Sequence, residues 1–349
     1  MRVCDDPRDA ARALLDGRLA ILPTETVYGL AARADDPTAI ARLYATKGRP
    51  SAHPVIVHLA DAAAALDPRS GWAAGAPDYA HALADAAWPG PLTLVLTRGP
   101  RAGDDVTGGQ DSVGLRVPGH PVALAVLAAM DELDPDGAPH GIAAPSANRF
   151  GRVSPTTLAH ALDELADVLD ADDVALDGGD CAVGVESTIV DCRGAVPAVL
   201  RPGHVGAAQI EKVTGLSPRS STTASTRVPG SLPSHYAPRA EVVVSAHAAE
   251  LAAQVDDARA RGVTRIGALV PRGVAVPDGV GILLEAASSA DYARGLYAAL
   301  RRGDAQDVEL IVAVAPVDDG GAGDADAVRD RLLRASAPRK EPGRLRTGC

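Results

Sequence analysis

One long break divides this chain and sets its architecture. Residues 217–239, SPRSSTTASTRVPGSLPSHYAPR, are rich in serine, threonine and proline and carry neither a helical nor a strand period. A stretch of that length is unusual inside a compact domain and is either a linker or functional. It separates a unit over residues 1–216 from a smaller one over 240–349. At 349 residues the chain also exceeds what a single core usually holds.

Before the break, strand-like runs alternate with helical ones. Asp6-Pro7 and Asp36-Pro37 each set an N-cap before a proline in the first helical position. They predict helices over 7–16, stopped by Gly17, and over 37–46. Short strands fit 18–22, 54–59, 92–97, 113–117, 142–144 and 187–191, and helices fit 77–87, 121–130 and 156–165. Ser154 before Pro155 reads as the cap of the last helix. The polar run 131–140, DELDPDGAPH, reads as a surface loop. Periodicity leaves the strand order open, but the class is α/β or α+β with a twisted mixed sheet.

After the break, strands at 241–245, 265–270, 281–284 and 309–314 alternate with helices at 246–261, 292–302 and 324–335. That rhythm predicts a small, parallel, doubly wound, Rossmann-like domain. The stretch Gly320-Gly321-Ala322-Gly323 follows two aspartates and lacks the third glycine of a dinucleotide loop, so it reads as a plain loop.

The formal charge of −11, from 45 acidic and 34 basic residues, argues against stable tRNA binding on a broad basic surface. Any anion site must be a local cluster. Lysine occurs only at positions 47, 212 and 340, so a lysine inside a motif stands out. No apolar run approaches the roughly 18 residues of a membrane span, and the N-terminus lacks a signal-peptide core. A soluble cytoplasmic chain without membrane partners is expected. Cys4, Cys181, Cys192 and Cys349 form no C-x-x-C pair and read as reduced thiols, with no metal site.

The phosphate loop, the H-E-x-x-H helix and the G-x-S-x-G elbow are all missing from the sequence. If ATP binds, side chains and irregular backbone must hold it. Three stretches suit that task. The first is PTETVYGL (23–30), which follows a strand. The second is Lys47-Gly48-Arg49-Pro50, where a point charge and a planar fork lie two apart in a shaped loop. The third is Ala144-Pro145-Ser146-Ala147-Asn148, running on to Ser154. Each has a plain structural reading as well: a satisfied strand end, a lysine facing a helix dipole, an N-cap.

In chain order these blocks are PTETVYGL, KGRPSAHPVIVHLAD, WPGPLTLVL, SVGLRVPGHP, APSANRFGRVSPTT, GVESTIVD and LRPG. Together they resemble the YrdC/Sua5 family of threonylcarbamoyl-AMP synthases over residues 19–205. The linker elements Pro229-Gly230 and His235-Tyr236, with LRRGD (300–304) and DRLLRA (330–335), resemble the long, two-domain form. The rivals are a non-catalytic nucleotide-binding module and the carbamoyl-transfer proteins that share this domain. The retained threonine-site residues and the lack of C-x-x-C zinc motifs count against them.

The resemblance implies that L-threonine, bicarbonate and ATP are the substrates and that Mg²⁺ accompanies ATP. It implies that the product feeds threonylcarbamoyl modification of adenosine 37 in tRNA, through the transferase machinery downstream. Carried over by motif, Thr26, His58, Arg116 and Ser187 surround threonine, with Ala144 offering backbone groups. Arg49, Ser112, Ser146, Ser154 and Arg201 line the ATP site. Asn148 completes that pattern with Lys47, and Lys47 and Arg49 are the implied catalytic pair. Tyr236 would reach the nucleotide from the linker, making 217–239 a lid. Three features depart from the family pattern: His53 replaces an asparagine in the ATP set, Ser112 replaces a threonine, and Leu232-Pro233-Ser234 stand where basic residues are common.

Overall fold

The computed structural model describes residues 1–220, 226–230, 235–318 and 322–338. Leu232, Pro233 and Ser234 of the linker, Gly320 and Gly321, Lys340 and Cys349 therefore lie outside the described residues. Two sheets organise the fold. Strands of the first are β1 (Arg2–Cys4), β2 (Ala20–Leu22), β3 (Gly29–Arg33), β4 (Ile56–His58), β5 (Leu92–Thr97) and β6 (Ser112–Arg116). They continue with β7 (Ile142–Ala143), β8 (Val174–Leu176), β9 (Thr188–Asp191), β10 (Ala198–Arg201) and β11 (Arg219–Ser220). Their spatial order is β1-β8-β2-β3-β7-β4-β6-β5-β9-β10-β11. Pairing is mixed: β4 with β6 and β5 with β9 are parallel, while β5 with β6 and β9 with β10 are antiparallel.

The second sheet, β12 (Glu241–Ser245), β13 (Ile266–Pro271), β14 (Gly281–Ala286) and β15 (Leu310–Val314), is wholly parallel in the order β12-β15-β13-β14. Helix Glu250–Ala260 covers one face, with Leu251 and Val255 packing on Ile266 and Val312. Helices Ser289–Ala305 and Asp324–Ser336 cover the other. The doubly wound expectation for this half holds.

The capping signals formed as the chemistry requires. Asp36 accepts hydrogen bonds from the Thr38 and Ala39 amides at 2.9 and 3.2 Å, and Gly48 ends that helix at φ 61°. Other expectations need correction. The helix predicted from 156 starts at Leu158 with Thr157 as its cap, because the Ser154 hydroxyl is turned to Glu186. The 131–140 stretch is no simple surface loop: helix Pro121–Leu133 runs into it, a 3₁₀ turn follows at Pro135–Gly137, and His140 is buried. The linker is not structureless at its start, since β11 adds to the sheet edge beside β10. Of the strands that pattern missed, β1 and β8 are three residues long, too short to carry a period.

Alternation along the strands gives the first sheet two faces. Val57 and Leu115 join the core with Tyr28 and Trp72, while Leu22, Val126 and Met130 build a second core against helix Pro7–Leu15. Ile56, Val95 and Ile189 point to the opposite side of the central strands, where linker residue Val228 covers them. A further cluster joins the two halves. Val27, Val153 and Val185 of the first pack with Tyr236, Tyr292, Leu296 and Val328 of the second.

Candidate functional site

Strand register builds the site. His58 lies beside Arg116 in the parallel β4–β6 pair, and Thr188 lies beside Leu92 in β5–β9. With a period of two, His58, Arg116, Thr93 and Ser187 share the face under the linker. The predicted residues thus meet across the middle of a sheet face, not only at strand exits.

A cavity of about 50 Å³ opens there. Thr26, Arg49, His58 and Arg116 line it, as do Ala144, Ser146, Ser187, Arg201 and Tyr236. A larger cleft of about 730 Å³ lies beyond β10, but none of the predicted residues line it. Room for one or two waters is far less than ATP and threonine need. Pro229, Gly230, His235 and Tyr236 close the top, so this segment must give way for substrates to enter.

Arg116 is nearly sealed from solvent. Its Nη2 donates to Glu25 Oε1 at 2.7 Å and to Thr26 Oγ1 at 3.0 Å, and its Nε donates to the Gly90 carbonyl at 3.2 Å. Glu25, noted in the sequence only as part of a strand end, is what aims this guanidinium. Beside it, burial and then the Arg116 charge push the His58 pKa down to about 3, so the ring is neutral.

Arg201 closes the opposite wall. Two of its nitrogens donate to the Ser187 carbonyl at 3.0 and 2.8 Å, and Nη2 also reaches Ser187 Oγ at 3.1 Å. Its Nη1 donates to the carbonyl of linker residue Pro229 at 3.0 Å. Thr93 supports Ser187 from below at 2.8 Å. Arg49 donates to the Pro54 carbonyl at 2.7 Å and sits over the ring of Phe150, the chain's single phenylalanine.

Five predicted residues are not on the cavity wall. Lys47 is buried, and its ammonium donates to the Ser146 and Asn148 carbonyls, tying down the loop that presents Ser146. Burial, then the Arg49 charge, lowers its pKa well below the usual lysine value. Asn148 braces the same loop by donating to the Arg149 and Arg152 carbonyls. His53 packs edge-on against Phe150. Ser112 lies on the correct face but under Val228 and Gln110, in a separate small pocket. Ser154 Oγ donates to Glu186 Oε1 at 2.6 Å, one residue behind the wall.

The linker makes its own close contacts. Gly230 has φ 79°, and a Cβ there would lie 2.2 Å from the Tyr236 hydroxyl, so only glycine fits. Tyr236 itself has φ 60°, a conformation disfavoured for a side chain of this size. It is held by a stack on Tyr297 and by the Arg331 guanidinium 5.5 Å from its ring centre. Sequence reading missed Glu186, although it stands inside GVESTIVD. Tyr297 and Arg331 carried no site signal at all, because they belong to another domain.

A family model described as telomere recombination, Sua5–YciO–YrdC, matches residues 12–203. A second, the threonylcarbamoyl-AMP synthase C-terminal domain, matches residues 205–337. The threonylcarbamoyl-AMP synthase of Pyrococcus abyssi is 35% identical over 95% of this chain and 94% of its own length. That of Bacillus subtilis is 36% identical over 96% and 94%. The crystal structure of P. abyssi Sua5 complexed with L-threonine matches this fold with a TM-score of 0.81 at 33% identity, covering 96% of this chain and 97% of that one. By fold, motif order and full-length similarity, the chain belongs to the YrdC/Sua5 family in its two-domain form.

Proposed function

We propose that the chain is an L-threonylcarbamoyladenylate synthase, a nucleotidyltransferase that converts L-threonine, bicarbonate and ATP to threonylcarbamoyl-AMP and pyrophosphate. The observation that carries this reading is the convergence of Arg49, Arg116 and Arg201 on one cavity in a chain of net charge −11. Every reactant brings at least one anionic group, so much of the barrier is one of holding like charges close together and in line.

In the first step the threonine amine forms a bond to the bicarbonate carbon and water leaves, giving the carbamate. A carbamate oxygen then attacks the ATP α-phosphorus. The bond to the β-phosphate oxygen breaks and pyrophosphate departs. Arg116, oriented by Glu25, is the fork for the threonine carboxylate, with Thr26, Ser187, the Ala144 backbone and neutral His58 around it. The P. abyssi relative, crystallised with L-threonine, supports threonine as a substrate.

Arg49 and Arg201 grip the nucleotide phosphates, together with Ser146 and Ser154. Lys47 and Asn148 serve by fixing the Ser146 loop. Mg²⁺ arrives on the ATP phosphates as part of that substrate. The linker, residues 217–239, acts as the lid, with Pro229, Gly230, His235 and Tyr236 over the cavity. The product goes to a tRNA threonylcarbamoyl transferase system. No helix among the described residues is long and apolar enough to cross a membrane.

Purified protein incubated with all three substrates is expected to release pyrophosphate only when threonine and bicarbonate are both present. Release that ignores threonine would overturn the assignment.

A further inference from the structure

Glu186 is the one carboxylate on the cavity wall. Ser154 Oγ donates to its Oε1 at 2.6 Å, Tyr297 OH to its Oε2 at 2.7 Å, and Arg331 Nε to Oε2 at 2.9 Å. Ser154 belongs to the first domain, whereas Tyr297 and Arg331 come from helices Ser289–Ala305 and Asp324–Ser336 of the second. Arg331 has no exposed side-chain surface and also donates to the Pro202 carbonyl and to Asp330. Burial alone would raise the Glu186 pKa, but the Arg331 and Arg201 charges and the two hydroxyl donors hold it at about 2. An ionised carboxylate therefore faces the place where the polyphosphate must sit. Unpaired, it would repel that ligand through a poorly screening interior.

The geometry points to Arg331 as a positioning residue for ATP: it cancels the Glu186 charge beside the nucleotide, giving the C-terminal domain control over polyphosphate binding. This rests on the synthase reading and its assignment of the ATP wall. A guanidinium used only to strap two domains together would serve threonine and ATP alike. A charge-cancelling one acts on the ligand that carries the phosphates.

The test uses the full-length protein, with pyrophosphate release measured against ATP and against threonine in turn. Arg331→Met is expected to raise the KM for ATP by about tenfold or more, since it leaves a buried charge unpaired. The KM for threonine should stay within about threefold. Adding Glu186→Gln to Arg331→Met removes the stranded charge and should recover most of the ATP KM. Equal damage to both KM values, or no recovery in the double variant, overturns the proposal. If Arg331→Met does not fold, Arg331→Lys keeps the charge without the fork and decides instead: a tenfold rise in the ATP KM would overturn the idea, and a smaller one supports it. Wild-type protein that releases no pyrophosphate would defeat the synthase reading, a separate outcome.

Discussion

Two buried polar walls face each other across the cavity, and they differ in how completely they are bonded. The wall built by the first sheet leaves bonding capacity unused. His58 Nδ1, and Glu25 Oε2 just behind the wall, are buried without a hydrogen-bond partner among the described residues, as is His235 Nδ1 in the linker roof. The wall that joins the two domains has no such atom at its centre, since Glu186 takes three donors and Arg331 spends its nitrogens on Glu186, Pro202 and Asp330. Orphaned buried groups are costly and rare, and one on a cavity wall leaves capacity that a ligand can take up. Saturated networks fix geometry. On the proposed function, the first wall would recognise and the second would position.

The largest expected effect tests the recognising wall. Arg116→Ala should lower kcat/KM for threonine by about a hundredfold, roughly 3 kcal/mol, as the carboxylate loses its charged fork. Pyrophosphate release across a threonine titration measures it. Retained efficiency would erase the distinction between the walls. Melting of the same variant should also fall, because Glu25 is left buried and unpaired.

Next in size is a pH effect carried by the neutral His58 ring. Its folded pKa of about 3 lies below the ordinary value of about 6.5, so the unfolded chain binds a proton that the native one refuses. Stability from this group is intact above pH 6.5 and is lost as pH falls toward 3. Between pH 7 and 5 the loss should be roughly 2 kcal/mol. His235, likewise pushed to about 3 by burial, adds to it. Urea midpoints at the two pH values measure the slope, which His58→Gln should flatten. An unchanged slope would mean that the ring binds its proton equally well in the folded and unfolded chain.

The smallest effect sharpens the positioning wall. Tyr297→Phe removes one of three donors to Glu186 and should cost roughly 1.5 kcal/mol of stability, with a weaker rise in ATP KM than Arg331→Met. Thermal unfolding and ATP titration on one preparation separate the two. An ATP effect larger than that of Arg331→Met would assign the control to the tyrosine.

How far the sequence carried the site depends on the reach of each interaction. Arg49, Arg116 and Arg201 stand in ordered blocks of local sequence, and all three arrived at the cavity. Lys47 shared a loop with Arg49 and was read with it as a catalytic pair. In the fold its ammonium meets two carbonyls about a hundred residues away. Ser154 looked like a helix cap until Glu186 claimed its hydroxyl. Strands such as β3, GLAAR, carry no alternation to read, because both of their faces are covered.

By itself the sequence determined the family, the two-domain plan, the capped helices and the cations that line the cavity. These follow from contacts within a few residues, or from motifs kept in order. Only the tertiary structure decided that the cavity lies on a sheet face beneath the linker, that Glu186 is its one carboxylate, and that Arg331, 145 positions later, neutralises it. The partner of a buried charge is fixed by long-range packing, and no local pattern encodes which chain segment will arrive.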